Sequence, residues 1–374
     1  MRHLAPYQIF FPLGLLNALL AVGVWFVQDL NWFDAPAIFI HPKLITGGFL
    51  WSFIVGFLMT AVPRMTGTAS ANLAEYLGAS ALMLGLTISS WNPDPRFFYS
   101  IQMAVVLFLL IYGGRRILRM KKPLPVFFSH VAMAMVLALL GSYFHLRGNS
   151  FMGIHLYNLG TVLLLVLGIG TRFFSFLSGL PSEFENSTPP VWRRLFHVGG
   201  LLMGALLFAA GTGGNSWAYL LLTLVSLFYL FKIWNVQRPS QRPSPLKYAV
   251  RLVATMIPLG FFLTWWQPLM FITWFHLLFI GCFGLITFSV AARVTLAHGA
   301  YPTELEMNSK ALWSLLIFLT LAILSRTLYG FSGDAWKSGF LYLAATFWIL
   351  AVLSWCWKFL PRIFIPGPQA KPSC

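Results

Sequence analysis

The sequence has few charged residues, and this scarcity excludes a water-soluble protein. Of its 374 residues, 9% are charged and 58% are hydrophobic, whereas a soluble domain carries roughly 25% charged residues. Lipid must therefore contact most of the surface. Inside a bilayer every backbone polar group needs an internal partner, so spanning segments are helices or closed barrels. The apolar runs are continuous rather than alternating, and they predict an all-α polytopic membrane protein.

Several chemical motifs are also absent. The three cysteines (Cys282, Cys356 and Cys374) are far apart, which excludes a disulfide framework and a CxxC metal site. The chain has no CxxCH for covalent haem attachment, and it has no P-loop, nucleophile elbow or HExxH. No carboxylate is predicted near the middle of a span, which disfavours proton-coupled transporters and pumps. The sequence assigns no catalytic residue.

About twelve apolar windows are long enough to cross a membrane, and they predict one transmembrane domain over residues 1–374. In chain order they are Ile9–Val27, Leu44–Val62, Leu73–Trp91, Phe98–Tyr112, Leu124–Phe144, Ile154–Phe176, Leu195–Ala210, Trp217–Trp234, Ala249–Trp265, Leu269–Ala292, Leu312–Tyr329 and Gly339–Phe359.

The distribution of basic residues predicts the orientation. With both termini in the cytoplasm, the outer side keeps five of the 25 Lys and Arg residues, namely Lys43, Arg96, Arg147, Arg326 and Lys337, and the other 20 fall on the inner side. The net charge of +16 then reflects basic loops that contact anionic lipid headgroups. Membrane lipid is the expected partner, and nucleic acid is not. The sequence assigns no oligomeric state.

Three histidines suggest an internal repeat. His41, His155 and His276 fall in the outer halves of the second, sixth and tenth helices, 114 and then 121 residues apart. Arg172 follows His155 by 17 residues, and Arg293 follows His276 by the same interval. We expect both arginines to anchor helix ends at the inner membrane interface. The pattern predicts four-helix repeats of about 1–122, 123–245 and 246–374, with a chance coincidence as the competing explanation.

Histidines at one membrane depth could hold a metal cofactor. Neutral imidazole is a common ligand of transition metals and of haem iron. His41 and His276 could bind haem b from two sides, with His155 nearby, and His145 at the outer end of the fifth helix could help to hold copper. The alternative is that each histidine makes a hydrogen bond to a neighbouring helix.

Two segments resemble signatures of the NnrS family. The first is HPKLITGGFLWSFIVGFLMTAVPRMTG, residues His41–Gly67, and the second is WFHLLFIGCFGLITFSVAARVTLAHGAY, residues Trp274–Tyr301. Between them, GIGTRFFSFL (Gly168–Leu177) is similar to the family's segment after the sixth helix. Two departures stand out. Lys43 and Leu44 replace a frequent histidine and glutamate, and Ala-His-Gly-Ala replaces the usual Gly-His-Thr-Gly.

The resemblance implies a haem- and copper-containing protein of the bacterial inner (cytoplasmic) membrane that acts in nitric oxide or nitrosative stress. His41, His276 and His298 match motif positions, and nitric oxide or a metal–nitrosyl species would be the small ligand. The helix plan also distantly resembles subunit I of the haem-copper oxidases, although the oxidase His-x-His and His-Pro-Glu-Val-Tyr runs are missing. His298 falls at the cytoplasmic end of its helix, where it would anchor that end or serve a separate inner metal site.

Two other classes of function stay open. One is a multi-helix transporter of a small or metal-bound solute, because twelve helices with internal repeats are typical of transporters. The other is a non-catalytic factor that handles haem or copper.

Overall fold

Twelve apolar helices make up the fold of the computed structural model, which describes residues 4–28, 35–179, 189–240 and 244–368. The helices are α1 Pro6–Val27, α2 Ala37–Thr66, α3 Leu73–Ser89, α4 Pro95–Ile117, α5 Phe128–Leu146, α6 Ser150–Ser178, α7 Pro190–Gly211, α8 Trp217–Ile233, α9 Pro245–Trp266, α10 Pro268–His298, α11 Lys310–Phe331 and α12 Asp334–Phe364. Ten segments have the length and hydropathy of membrane spans, whereas α3 and α8 are shorter. No β-strand occurs in these residues. The predicted all-α polytopic membrane class is therefore confirmed.

The helices pack into two compact units, Met1–Val162 and Leu163–Cys374. The first holds α1 to α5 and the outer half of α6, and the second holds the rest of α6 and α7 to α12. This division describes packing. The predicted four-helix sequence repeats stay a prediction.

In the first unit, close contacts between helices position α2. Gly48 lies against Asn17 of α1, where a Cβ atom would come within 2.5 Å of the amide oxygen. At the other end of α2, Arg116 of α4 forms a two-pronged ion pair with Glu75 of α3, with N–O distances of 2.8 and 3.0 Å. The same guanidinium donates to the carbonyl oxygen of Ala69 in the α2–α3 loop. These contacts of Arg116 join the C-terminal ends of α2 and α4 to the N-terminal end of α3.

In the second unit, buried tryptophans bond across helices. Trp234 donates its indole N–H to the Leu167 carbonyl oxygen, and Trp355 of α12 donates to the Phe288 carbonyl oxygen of α10. Both indoles are fully buried, so these bonds satisfy polar groups that lipid could not. The first bond ties the end of α8 to α6, and the second ties α12 to α10.

Three helices share a departure from α-helical geometry. π-helical segments occur at Leu44–Leu50 in α2, Ile154–Gly160 in α6 and Leu277–Gly284 in α10, and one more forms the end of α8 at Tyr229–Ile233. The first three begin within three residues of His41, His155 and His276, respectively. These helices are also the most buried spans, with 78%, 72% and 67% of their apolar windows inside the protein and no other span above 50%. Since π-helical turns are frequent at functional sites, they direct attention to these histidines.

The α5–α6 contact yields a stability prediction. A Cβ atom on Gly141 would lie 2.4 Å from the Tyr157 backbone nitrogen, so we expect Gly141→Ala to lower the free energy of unfolding by about 1–3 kcal/mol through overpacking. Thermal denaturation in detergent measures the effect. The control is Gly113→Ala, since nothing lies within 4 Å of a Cβ atom there. Equal stability of the two variants would contradict the close α5–α6 approach.

Candidate histidine site

His41 and His155 belong to the first unit. His41 lies in the first turn of α2, where it is half-buried, and its Nδ1 lies 2.7 Å from the Ala21 carbonyl oxygen of α1. Trp25 flanks the ring at 5.5 Å between centroids. His155 is fully buried in α6, with Nδ1 2.8 Å from the Phe151 carbonyl oxygen.

His276 repeats this arrangement in the second unit. Its Nδ1 lies 2.6 Å from the Ile272 carbonyl oxygen, one turn earlier in α10, and Phe279 presents its edge to the ring at 5.8 Å. The side chain is half-buried, like that of His41.

The three rings therefore share one tautomer. A carbonyl oxygen only accepts hydrogen bonds, so in each bond the imidazole Nδ1 carries the proton and donates it. The lone pair of each neutral ring is then on Nε2, the nitrogen that binds a metal ion or haem iron when Nδ1–H is held by a carbonyl group. The bond of His41 to α1 is also the interhelical bond of the alternative explanation, and it engages Nδ1.

His145 has a closely enclosed ring. Tyr99 of α4 stacks on it with centroids 4.1 Å apart, and its Nε2 lies 3.2 Å from the Asn158 side-chain oxygen of α6. A Cβ atom on Gly153 would lie 2.3 Å from the ring. Asn158 in turn donates to the Thr46 hydroxyl of α2 at 2.8 Å. The structure thus brings His145 to the level of His155 on α6, and its role in copper binding stays a prediction.

His298 lies at the opposite end of α10 from His276. The helix continues without a break from Pro268 to His298, and 22 residues separate the two histidines, or roughly 30 Å at 1.5 Å per residue. They cannot ligate the same ion. The described part of the chain contains no group of three or more His, Cys, Asp or Glu side chains that could hold a metal ion. A haem with two axial ligands would not need such a group. A copper ion, in contrast, finds no group of this kind in these residues.

The sequence missed a buried ion pair at the C-terminal end of α10. Arg293 and Glu306 are each 2% exposed and bond to one another, and the guanidinium lies over the Phe176 ring at 4.0 Å. The prediction that Arg293 is an interface anchor is therefore wrong, because the carboxylate of Glu306 folds back from a 3₁₀ turn (Thr303–Glu306) to neutralise it. Arg172, in contrast, is exposed. A signal was present, since Glu306 follows Arg293 by 13 residues across a short loop.

The geometry and the hydropathy define an α-helical multi-pass membrane protein with a histidine on each of its three most buried spans. The comparison with protein families agrees. The model of the family described as NnrS protein matches residues 3–366, which is nearly the whole chain, so the chain belongs to the NnrS family. No curated protein matches it.

The Arg293–Glu306 pair gives a second prediction. Glu306→Gln leaves a buried guanidinium without its carboxylate, and we expect the free energy of unfolding to fall by about 3–5 kcal/mol. The measurement is thermal denaturation of the purified protein in detergent. Glu304→Gln is the matched control, because Glu304 is exposed on the same 3₁₀ turn and its change should have little effect. Similar losses for both variants would refute the special role of Glu306.

Proposed function

We propose that this protein binds haem b, with His41 and His276 as its candidate ligands, and acts at the bacterial inner membrane in the response to nitric oxide. The observation that carries the proposal is the shared tautomer, which puts an Nε2 lone pair on both rings. Membership of the NnrS family supports the nitric oxide response. The haem iron would supply a centre that binds diatomic ligands and exchanges electrons.

The residues around the histidines fit a haem. Trp25 flanks His41 and Phe279 flanks His276, and flat aromatic walls suit an apolar macrocycle. Both ligand candidates are half-buried, whereas His155 is fully buried. The carbonyl groups of Ala21 and Ile272 fix the orientation of the two rings and raise their basicity as ligands. His155 would then lie near the site, as the sequence predicts.

Copper is a second, separate proposal. His145 and His298 are its candidate ligands from the sequence. Copper bound at either position would need other donors. Copper analysis of the same purified sample tests this, and His145→Ala and His298→Ala identify which position holds the ion.

The haem proposal predicts a specific spectrum. The protein, expressed with sufficient haem and purified in mild detergent, should show a Soret band and sharp reduced α and β bands at near-stoichiometric haem. His41→Ala and His276→Ala should each lose the sharp bands, since each removes one axial nitrogen. His197→Ala is the control, because His197 lies half-buried near the start of α7 and outside the predicted set.

The opposite outcome would favour another function. A folded, colourless and metal-free protein would contradict haem binding, and it would make a transporter of a small solute the leading explanation. Haem that is substoichiometric and easily lost would instead indicate a factor that carries haem or copper.

A further inference from the structure

Arg326 carries a buried charged nitrogen for which the described part of the chain provides no acceptor. It lies on α11 in the half predicted to face outward, and its guanidinium stacks on the Tyr329 ring at 4.5 Å. Its Nη1 is buried and has no hydrogen-bond partner among the described residues. The ion pairs of those residues do not include Arg326, and the nearby Asp334 is exposed and paired with Lys337. A buried donor without an acceptor raises the free energy of the folded protein, so we expect an acceptor to bind at this position.

The helix packing puts Arg326 level with His276. Helices α10 and α11 run antiparallel and meet at Thr273 and Gly330, where a Cβ atom on Gly330 would lie 2.5 Å from the threonine hydroxyl. Four residues before Gly330 comes Arg326, and four residues after Thr273 comes Leu277, the neighbour of His276. Arg326 and His276 therefore lie about one helical turn from the Thr273–Gly330 contact, in the same direction along the two helices. The two residues are thus at the same height.

Trp274 provides a second unmatched donor on the same helix pair. Its side chain is 6% exposed, and its ring lies 5.5 Å from that of Phe331 on α11. The indole Nε1 has no hydrogen-bond partner among the described residues. An indole N–H and a guanidinium both donate and neither accepts, so the missing group is an acceptor. Guanidinium groups pair best with the two oxygens of a carboxylate or a phosphate.

We propose that Arg326 binds an acidic oxygen group, a carboxylate or a phosphate, of a ligand held beside His276. Two sources have this chemistry. One is a haem carboxylate, which rests on the proposed function, and the other is the phosphate of a lipid headgroup at the outer membrane surface. In either case Trp274 offers an additional N–H donor on the facing helix.

The first arm of the test compares haem b with its dimethyl ester, which lacks the negative charges. Both are titrated into the haem-free full-length protein in detergent, and dissociation constants are read from visible absorption. We expect wild type to prefer haem b by about tenfold or more, and Arg326→Gln to remove most of that preference. Arg326→Lys should keep part of it. The control is Arg96→Gln, since Arg96 is exposed on the predicted outer side.

The second arm measures retention of phosphatidylglycerol against phosphatidylcholine on the haem-free protein by native mass spectrometry. Loss of phosphatidylglycerol in Arg326→Gln alone, with an unchanged haem preference, would assign the lipid phosphate. A protein that binds neither haem nor the ester would refute the proposed function, while the lipid arm would still decide the role of Arg326.

The inference is overturned if Arg326→Gln matches wild type in both the haem preference and the lipid retention. Wild type alone also provides a test that needs no variant to fold. Equal affinity for haem b and its ester, together with no preference for phosphatidylglycerol, would show that no acidic group binds there.

Discussion

Because the hydrocarbon interior of a membrane holds no water, each polar group of the chain needs a partner from the chain itself. Helices meet this need for the backbone, and the histidines of α2, α6 and α10 meet it through a bond from Nδ1 to a carbonyl oxygen. The same bond determines the tautomer. The bond that satisfies the Nδ1–H donor therefore also makes Nε2 the potential metal ligand, and the proposed haem site depends on this bond.

The π-helical segments connect the histidines with the helices that carry them. A π-helical turn holds an extra residue, which shifts the side chains that follow it around the helix. In α2, α6 and α10 this shift occurs beside the histidine and within the most buried spans of the fold. The bond from each Nδ1 to a carbonyl oxygen then orients the ring on that helix.

The two ends of α10 have different roles in this picture. Near the N-terminal end of α10, His276 lies level with Arg326, whose buried nitrogen has no acceptor among the residues that the structure describes. At the C-terminal end, Arg293 has its own carboxylate in Glu306, and Gly367 donates its backbone N–H to the Gly299 carbonyl oxygen, which ties the chain after α12 to the loop after α10. The satisfied charge stabilises the fold, and the unsatisfied one points to a ligand. The RVTLAHG segment is thus structural over at least part of its length.

Helix number and helix order follow from the sequence alone, because apolar length is a property of the chain read in one dimension. The depth of His41, His155 and His276 in the membrane stays a prediction from the same sequence. The tertiary structure decided which side chains meet. It buried Arg293 against Glu306 and enclosed His145 between Tyr99 and Asn158, and within the described part of the chain it gave Arg326 no acidic partner. These outcomes depend on which helices are neighbours and how each is rotated about its axis. Hydropathy carries no such information, because a span satisfies the lipid at any rotation until another helix packs against it.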